Sequence, residues 1–396
     1  MTHDVVIVGA GVIGASCAFH LARAGLRVLV LDRAPAPGAG STGRATGGFR
    51  AQFATAINIR LSLLARTQLA AFRDATGVDP GFVPVGYLWL AAPHELAALR
   101  DAHALQTREG LDEARVLAPD EIAQLNPHVA LDGIAGAAWC PTDGVLRPLE
   151  LLRGYLEAAA RLGVEVHWNE PVTDLARDGE RITTVTTPRG SYATGLVVDA
   201  CGAWAAPLAA LAGVELPIVP LRRQVAITEP TFALPATTPL TIWLGDGFHF
   251  RVRDDRVLLL RPTPGDPRDP WSDRVDSAWL DAINADYATR IPALRDVALD
   301  RPRAWAGLYE MSPDGHALLG YSTCPNLLLV NGSSGHGVMH APALGLLAAE
   351  LAVHGAARSL EIHALRPSRF AEGDPLRGSA CSDVSRRAAG SQRRPR

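Results

Sequence analysis

The chain of 396 residues predicts an α/β domain interleaved with a second, α+β domain built on a mainly antiparallel sheet. Three observations lead there. A glycine-rich turn joins an apolar strand to a helix-period segment at the start, in VVIVGAGVIGASCAFHLARAG. A second such turn, VNGSSGHGVMHAPALG (330–345), follows the apolar run NLLLV near the other end. Blocks of alternating, β-type sequence fill much of the interval between them. A chain of this length exceeds one ordinary core, so two domains are expected. Because α/β segments stand at the start, middle and end, both domains should be discontinuous.

Taken in order, DVVIV (4–8) and RVLVL (27–31) are β-branched runs flanking a helix expected over 12–24, with Gly25 placed to end it. Gly9, Gly11 and Gly14 form G-x-G-x-x-G between strand and helix, and Asp32 ends the second strand 18 residues after Gly14. That context makes the motif a Rossmann-like dinucleotide site. Gly9 permits a tight turn, Gly11 lets a pyrophosphate approach the backbone, and Gly14 allows close helix–strand packing. The helix N-terminus attracts the phosphates, and Asp32 can accept both ribose hydroxyls, which disfavours a 2′-phosphate. NAD and FAD both remain open on the motif alone. The chain then enters a Gly/Arg/Thr-rich loop (38–50) instead of further regular βα units, which suits a cofactor bound in extended form.

A helical stretch follows near 55–75, then a strand near GYLWLA, helices around 94–108 and 119–125, and a strand near GAAWC. PLELLRGYLEAAARLG (148–163) is helical and leads into the strand VEVHW; 172–177 and 181–187 alternate as a meander. LVVDACGAW (196–204) is expected as a strand, followed by a helix. Strands dominate 218–261, including a hairpin in FHFRVRDDRVLLLR turning at Asp254-Asp255. A helix near 274–290 precedes RPRAWAGLYEMSPDG and the second glycine turn, whose helix is expected to begin with Val338 and Met339. Beyond LRPSRF the end of the chain is polar and expected to be disordered. These elements assign 1–80, 146–217 and 308–370 to the nucleotide domain, 81–145 and 218–307 to the substrate domain, and 371–396 to a tail.

Composition narrows the function. A net charge of −3 gives no electrostatic case for nucleic acid or an anionic membrane. All 38 basic residues are Arg, so no mechanism can use a lysine. Five scattered cysteines without a CxxC pair read as free thiols of a reducing compartment. The N-terminal apolar stretch lacks a basic flank, and APALGLLAAELAVHG is broken by Glu350, so a cytoplasmic protein without an integral membrane segment is expected. His336 and His340 stand four apart but lack further ligands nearby, and no metal is expected.

The motifs GAGVIG, GSTGRATGGFRAQF, TDGVLRP, VVDACGAW, PLRRQV, GLYEMSPDG and SGHGVMHAPALG, in this order along 3–370, resemble the D-amino acid oxidase superfamily, which includes sarcosine oxidase, glycine oxidase and the β-subunits of proline dehydrogenases. The resemblance implies FAD. It implies cofactor contacts from Gly9, Gly11, Val12, Ile13, Gly14, Asp32 and Arg33, and from the loop residues Ser41, Thr42, Arg44, Ala45, Thr46, Gly47 and Gly48. Further contacts are implied for Val172, Gly202, Trp204, Gly307, Ser334, Gly335, His336, Gly337, Val338 and Met339. The late turn and its helix would lie under the flavin's pyrimidine edge, where N–H groups and a positive helix end favour the negative charge of the reduced ring. Gly307 stands where sarcosine oxidase attaches FAD through cysteine, so the cofactor is expected to be noncovalent.

The implied reaction is hydride transfer to flavin from the carbon of an amine, amino acid or imino acid, giving an imine. Arg50, closing GGFR, matches the arginine that grips substrate carboxylate in sarcosine oxidase, a task suited to a two-pronged guanidinium. Departures from the family stand at Met339, in place of a carboxylate-binding lysine, and at Tyr309, where glycine oxidase has an arginine. His249, Arg251 or Arg261 of the hairpin could restore the charge. His249 and Arg251 share one strand face and Phe248 and Phe250 the other, and alternation leaves open which face meets substrate. Leu258 stands where sarcosine oxidase has an oxygen-activating lysine, which tilts the acceptor from oxygen toward a quinone or electron-transfer partner; partner subunits are not specified. Two alternatives stand beside this reading: oxidation of a 2-hydroxy acid, and a non-catalytic flavin-binding assembly protein.

Overall fold

In the computed structural model, which describes residues 2–262 and 274–378, two large sheets share the chain with a two-stranded one that pairs Gly48–Phe49 with Gly144–Val145. The first has the order Leu318–Tyr321, Leu327–Asn331, Gly190–Asp199, Thr2–Val8, Val28–Leu31, Glu165–His167. Its central strands run parallel, with Val5–Val8 beside both Val28–Leu31 and Leu196–Asp199. The residues here are near-continuous Val, Ile and Leu because helices cover the faces of a parallel sheet. The meander strands Asp174–Asp178 and Arg181–Thr187 extend antiparallel from Gly190–Asp199. That last strand starts earlier and stops sooner than LVVDACGAW suggested, because Gly202–Trp204 turns into a short 3₁₀ helix.

The second sheet has the order Trp305–Met311, Val219–Ile227, Arg256–Leu260, His249–Arg253, Leu240–Trp243, Tyr87–Ala91, Gly136–Cys140, Arg115–Leu117. Every pairing in it is antiparallel except that of Leu240–Trp243 with Tyr87–Ala91. The hairpin turns at Asp254, whose φ of 57° lies in the left-handed region that Asp tolerates. The strand Trp305–Met311 straddles the expected division at 307/308 and so links the two sheets' territories. Phe248 and Phe250 point into a core with Trp243, Leu259 and the helix residues Trp279 and Ile283, which leaves His249 on the opposite face.

One contact does most to place the site. The first helix (Val12–Arg23) packs along the last (Gly337–His354), with Gly345 so close to Ser16 that a Cβ there would lie 2.1 Å from the Ser16 hydroxyl. Their N-termini are thereby brought together, and a Cβ on Gly337 would sit 3.4 Å from Ile13 Cδ1. The last helix is long and apolar enough to cross a membrane by length and composition, yet most of its residues are buried in the protein's own core. It begins at Gly337, one residue before the expected start.

The expected tail divides. Residues 379–396 lie outside the described residues, but 371–378 are described, and Leu376 donates its N–H to Asp314 at 3.0 Å. Just before them Arg369 is fully buried, paired with the same carboxylate.

Candidate active site

Where the two helix N-termini meet the face of the second sheet, the chain encloses a cavity of about 890 Å³. Of the residues expected at the cofactor or substrate, all line this cavity except Gly14 and Arg251. Gly14 acts one layer behind: a Cβ there would lie 1.9 Å from the Gly9 carbonyl, so the residue must be glycine for the first turn to close. Gly9, at φ 102°, would itself bring a Cβ within 2.5 Å of the Ala200 carbonyl. Gly11 differs. Its missing side chain would meet only the Thr42 hydroxyl, at 3.4 Å, so the space over it opens to the cavity. These are the separate tasks that a pyrophosphate-binding turn sets its glycines. The Thr42 hydroxyl accepts the Val12 N–H at 3.1 Å, at the start of the first helix.

Asp32 borders the same end. Its carboxylate accepts the Ala10 N–H at 2.6 Å and the Ala34 N–H at 2.7 Å, which fixes it against the first turn. Arg33 lies over the Trp204 ring at 4.4 Å, and both side chains line the cavity. Val172 and Glu170 close this end, with the Glu170 N–H held by the Asp32 carbonyl at 2.8 Å. Asp32→Ala should weaken FAD binding by ~1–3 kcal/mol, the cost of leaving buried polar partners unpaired. Titration of the apoprotein with FAD measures this, and an unchanged affinity would remove Asp32 from the site.

The loop 41–48 crosses the middle of the cavity. Arg44 donates to the Ala306 carbonyl at 2.8 Å, and its Cβ would touch a side chain placed on Gly307 at 3.0 Å. Gly47, at φ 78°, leaves no room for a Cβ beside the Leu146 carbonyl, 2.2 Å away. Arg251 belongs to this support. It donates to the Thr46 carbonyl and is buried, so it braces the loop and does not line the cavity where substrate would stand.

At the far end Arg50 lies over Phe53, with its guanidinium carbon 3.9 Å from the ring centre, and over Trp89, at 4.8 Å. It donates to the Gln52 carbonyl at 2.7 Å and meets His336 Nε2 at 3.1 Å. A guanidinium only donates, so that nitrogen accepts and His336 is neutral. Burial and then the charge of Arg50 hold its pKa well below the usual value. His340, one turn on, is lowered to about 3, mainly by burial, and meets the Ser62 hydroxyl at 2.9 Å. The two imidazoles thus serve a hydrogen-bonded packing around Phe53. The Arg50 loop is anchored by Asp143, whose buried carboxyl accepts the Ala51 N–H at 2.7 Å and the Gln52 amide at 3.2 Å.

His249 Nδ1 donates to the Gly247 carbonyl at 2.8 Å, which leaves Nε2 as an acceptor in the cavity wall. Burial, helped by the charges of Arg50 and Arg223, lowers its pKa. Arg261 stands in the wall but pairs with Asp246 and Asp286, each at 3.4 Å, so its charge is already met by two carboxylates. The Tyr309 ring packs over the second turn: a Cβ on Gly335, at φ 93°, would fall 2.4 Å from it. Leu258 is buried against Val225 and Leu260.

The sequence reading passed over Tyr87, Trp89, Arg223 and Glu310, all of which line the cavity. Tyr87 and Trp89 stand two apart on one strand and so share a face, a signal present in GYLWLA once that strand is known to border the site. Arg223, in PLRRQV, lies 5.8 Å from the Tyr309 ring centre. Among the described residues no group of three or more His, Cys, Asp or Glu could hold a metal ion.

The comparisons with known proteins fit this geometry. The family profile described as FAD dependent oxidoreductase (DAO) matches residues 4–351. The chain is 28% identical to FAD-dependent oxidoreductase domain-containing protein 1 of Xenopus laevis, over 94% of this chain and 83% of that protein. It is 29% identical to the glycine oxidase of Geobacillus kaustophilus, over 89% of this chain and 93% of that one. The crystal structure of L-proline dehydrogenase from P. horikoshii superposes with a TM-score of 0.87 at 27% identity, covering 95% of this chain and 99% of that structure.

Proposed function

The chain belongs to the DAO family of FAD-dependent oxidoreductases, and from that premise we propose that it oxidises an amino or imino acid at the carbon bearing nitrogen. The observation that carries this reading is Arg50. It is a cation held over two aromatic rings in the cavity that the second glycine turn also lines. Glycine oxidase and L-proline dehydrogenase, both similar over most of this chain, are named for substrates of that class.

FAD, bound noncovalently, would supply the acceptor for a hydride equivalent. The glycines fit such a group: Gly11 opens the first turn toward a pyrophosphate, and the cavity continues past Gly47 and Gly307 to the second turn. Gly9, Val12, Ile13, Asp32, Arg33 and Thr42 would hold the dinucleotide's adenosine and phosphate portion. Ser334, Gly335, His336, Gly337, Val338 and Met339 would present a helix N-terminus to negative charge on the ring. Arg50 would clamp the substrate carboxylate. His249, whose Nδ1 donates to the Gly247 carbonyl, would offer Nε2 as an acceptor that orients the substrate nitrogen. Tyr87, Trp89 and Tyr309 wall the chamber and exclude water. Leu258, in place of the oxygen-activating lysine of sarcosine oxidase, tilts the reading toward a quinone or an electron-transfer partner, although it is buried behind the cavity wall and does not line it.

Mixing the FAD-loaded protein anaerobically with a panel of amines, amino acids, imino acids and 2-hydroxy acids tests this. Bleaching of the flavin band by an amino or imino acid is the expected result. Bleaching only by a hydroxy acid would replace the reading, and no bleaching by any of them would favour a non-catalytic flavoprotein.

A further inference from the structure

Glu310 lies between the two glycine turns and has no part in the substrate chemistry described above. It is nine-tenths buried, with 9% of its surface accessible, and it lines the cavity. One oxygen, Oε1, accepts the Ser333 N–H at 3.2 Å. The other, Oε2, is buried without a protein partner. It faces Gly202, where an added Cβ would lie 3.9 Å away, while Oε1 lies 3.7 Å from the same construction on Gly337. Gly337 starts the last helix and touches Ile13 of the first. The carboxyl therefore lies between Gly202, which Oε2 faces, and the start of the last helix, whose first residue touches Ile13 of the first helix and where an anion is favoured.

We infer that Glu310 binds the cofactor as a neutral carboxylic acid, donating its proton through Oε2 to an anionic phosphate oxygen of the dinucleotide. The inference rests on the cofactor reading above and extends it to a residue in GLYEMSPDG with no previously stated role. An ionised carboxylate there would confront the phosphate with like charge and leave a lone pair unmatched. A neutral acid supplies the missing donor. Burial supports this state, raising the Glu310 carboxyl to about 7.

The surroundings add to the effect. Asp199, at the end of its strand, is buried with Oδ2 also unpartnered, and burial followed by the influence of Glu310 raises it to about 7 as well. Cys201 beside it is pushed up by burial and by Asp199 and Asp32, against Arg33. The other charged or titratable groups on the packed elements are His336 before the last helix, Arg44 from the loop, and Arg222 and Arg223 on the paired strand. His336 is neutral, which leaves the arginines as the opposing charges.

Binding should then draw a proton onto the protein above neutral pH. The bound form holds the proton more firmly than the free form, so affinity is full at low pH and falls as pH rises past the free carboxyl's value. The FAD dissociation constant of the full-length apoprotein should rise between pH 7 and 9, by up to tenfold per unit, with Glu310→Gln flat over that range. Glu310→Gln retains a donor and the shape, so its affinity at pH 6.5 should stay within about threefold of wild type. Calorimetry of wild type in two buffers of different ionisation enthalpy counts the proton directly and needs no variant. Uptake approaching one proton near pH 8, absent from Glu310→Gln, is the expected result. No uptake in wild type, or the same pH profile in Glu310→Gln with Asp199 and Cys201 intact, would overturn the inference. Failure of wild type to bind FAD at any pH would instead count against the cofactor reading itself.

Discussion

Arg50→Ala should slow flavin reduction by the best amino or imino acid by ~30- to 5000-fold while leaving the bound flavin spectrum native. The range corresponds to ~2–5 kcal/mol, the cost of losing a charge-assisted pair in a partly dry pocket. Three features of the site put the effect toward the upper part of that range. Met339 and Tyr309 line the same cavity, and neither carries charge. Arg261 is met by Asp246 and Asp286, and Arg251 is turned to the Thr46 carbonyl. Arg50 is also pre-set, packed on Phe53 and Trp89 and tied to Gln52, so little ordering remains to be done when substrate arrives. Arg50→Lys should recover little, because an ammonium can neither stack as a plane nor engage two carboxylate oxygens side by side. Stopped-flow flavin reduction measures it. A variant with wild-type rate and half-saturation would remove Arg50 from substrate binding and move attention to Arg223 and His249.

What could be read from the sequence follows the range over which each feature acts. The first turn, its helix and Asp32 are local: their spacing is dictated by one strand–turn–helix unit, and they stand in the structure as spaced. Arg50 was legible as a residue type at the end of a glycine loop. Its stacking on Trp89 was not, because the strand Tyr87–Ala91 reaches it only through the tertiary fold. The hairpin shows the limit clearly. Alternation assigned His249 and Arg251 to one face, and that face is the one turned from the phenylalanine core. Nothing local could say that Arg251 would stop at Thr46, 205 residues away in sequence. Glu310 was invisible for the same reason. Its meaning comes from two helix starts more than 300 residues apart in sequence, at Val12 and Gly337. The polar end of the chain misled at its near side: 371–378 were expected in the tail, yet the Leu376 N–H bonds Asp314, the partner of the buried Arg369.

That buried arginine sets the second large effect. Arg369 has no accessible surface, and its Nε and Nη2 donate to the two oxygens of Asp314 at 2.7 and 2.8 Å. It also donates to the carbonyls of Leu365 and His316, at 3.0 and 3.1 Å. Burial alone would raise the Asp314 carboxyl, but the guanidinium and the Leu376 and His316 N–H groups hold it below the usual value. Asp314→Asn keeps the shape and removes the charge, leaving a guanidinium that cannot shed its proton. Such an uncompensated buried charge costs ~3–5 kcal/mol. Arg369→Met leaves the opposite partner, a carboxyl that can take up a proton, so it should cost less and depend on pH. In wild type the lowered carboxyl contributes stability that is present above the unfolded value and lost as pH falls through the folded one, below about pH 4. In Arg369→Met the sign reverses: the carboxyl is now raised, and its penalty at neutral pH is relieved as pH falls. Urea unfolding at several pH values separates the two, with the exposed Arg153→Met as a control that should move the midpoint little. The pin also reaches the cofactor end of the molecule. The Ser312 hydroxyl bonds Asp314 Oδ1 at 3.2 Å, and the Ser312 N–H bonds the Ser334 hydroxyl at 3.1 Å, within the second glycine turn. Asp314→Asn should therefore loosen FAD as well as lower the unfolding midpoint. If it unfolds like wild type, the buried pair is not what fastens the C-terminal segment to that turn.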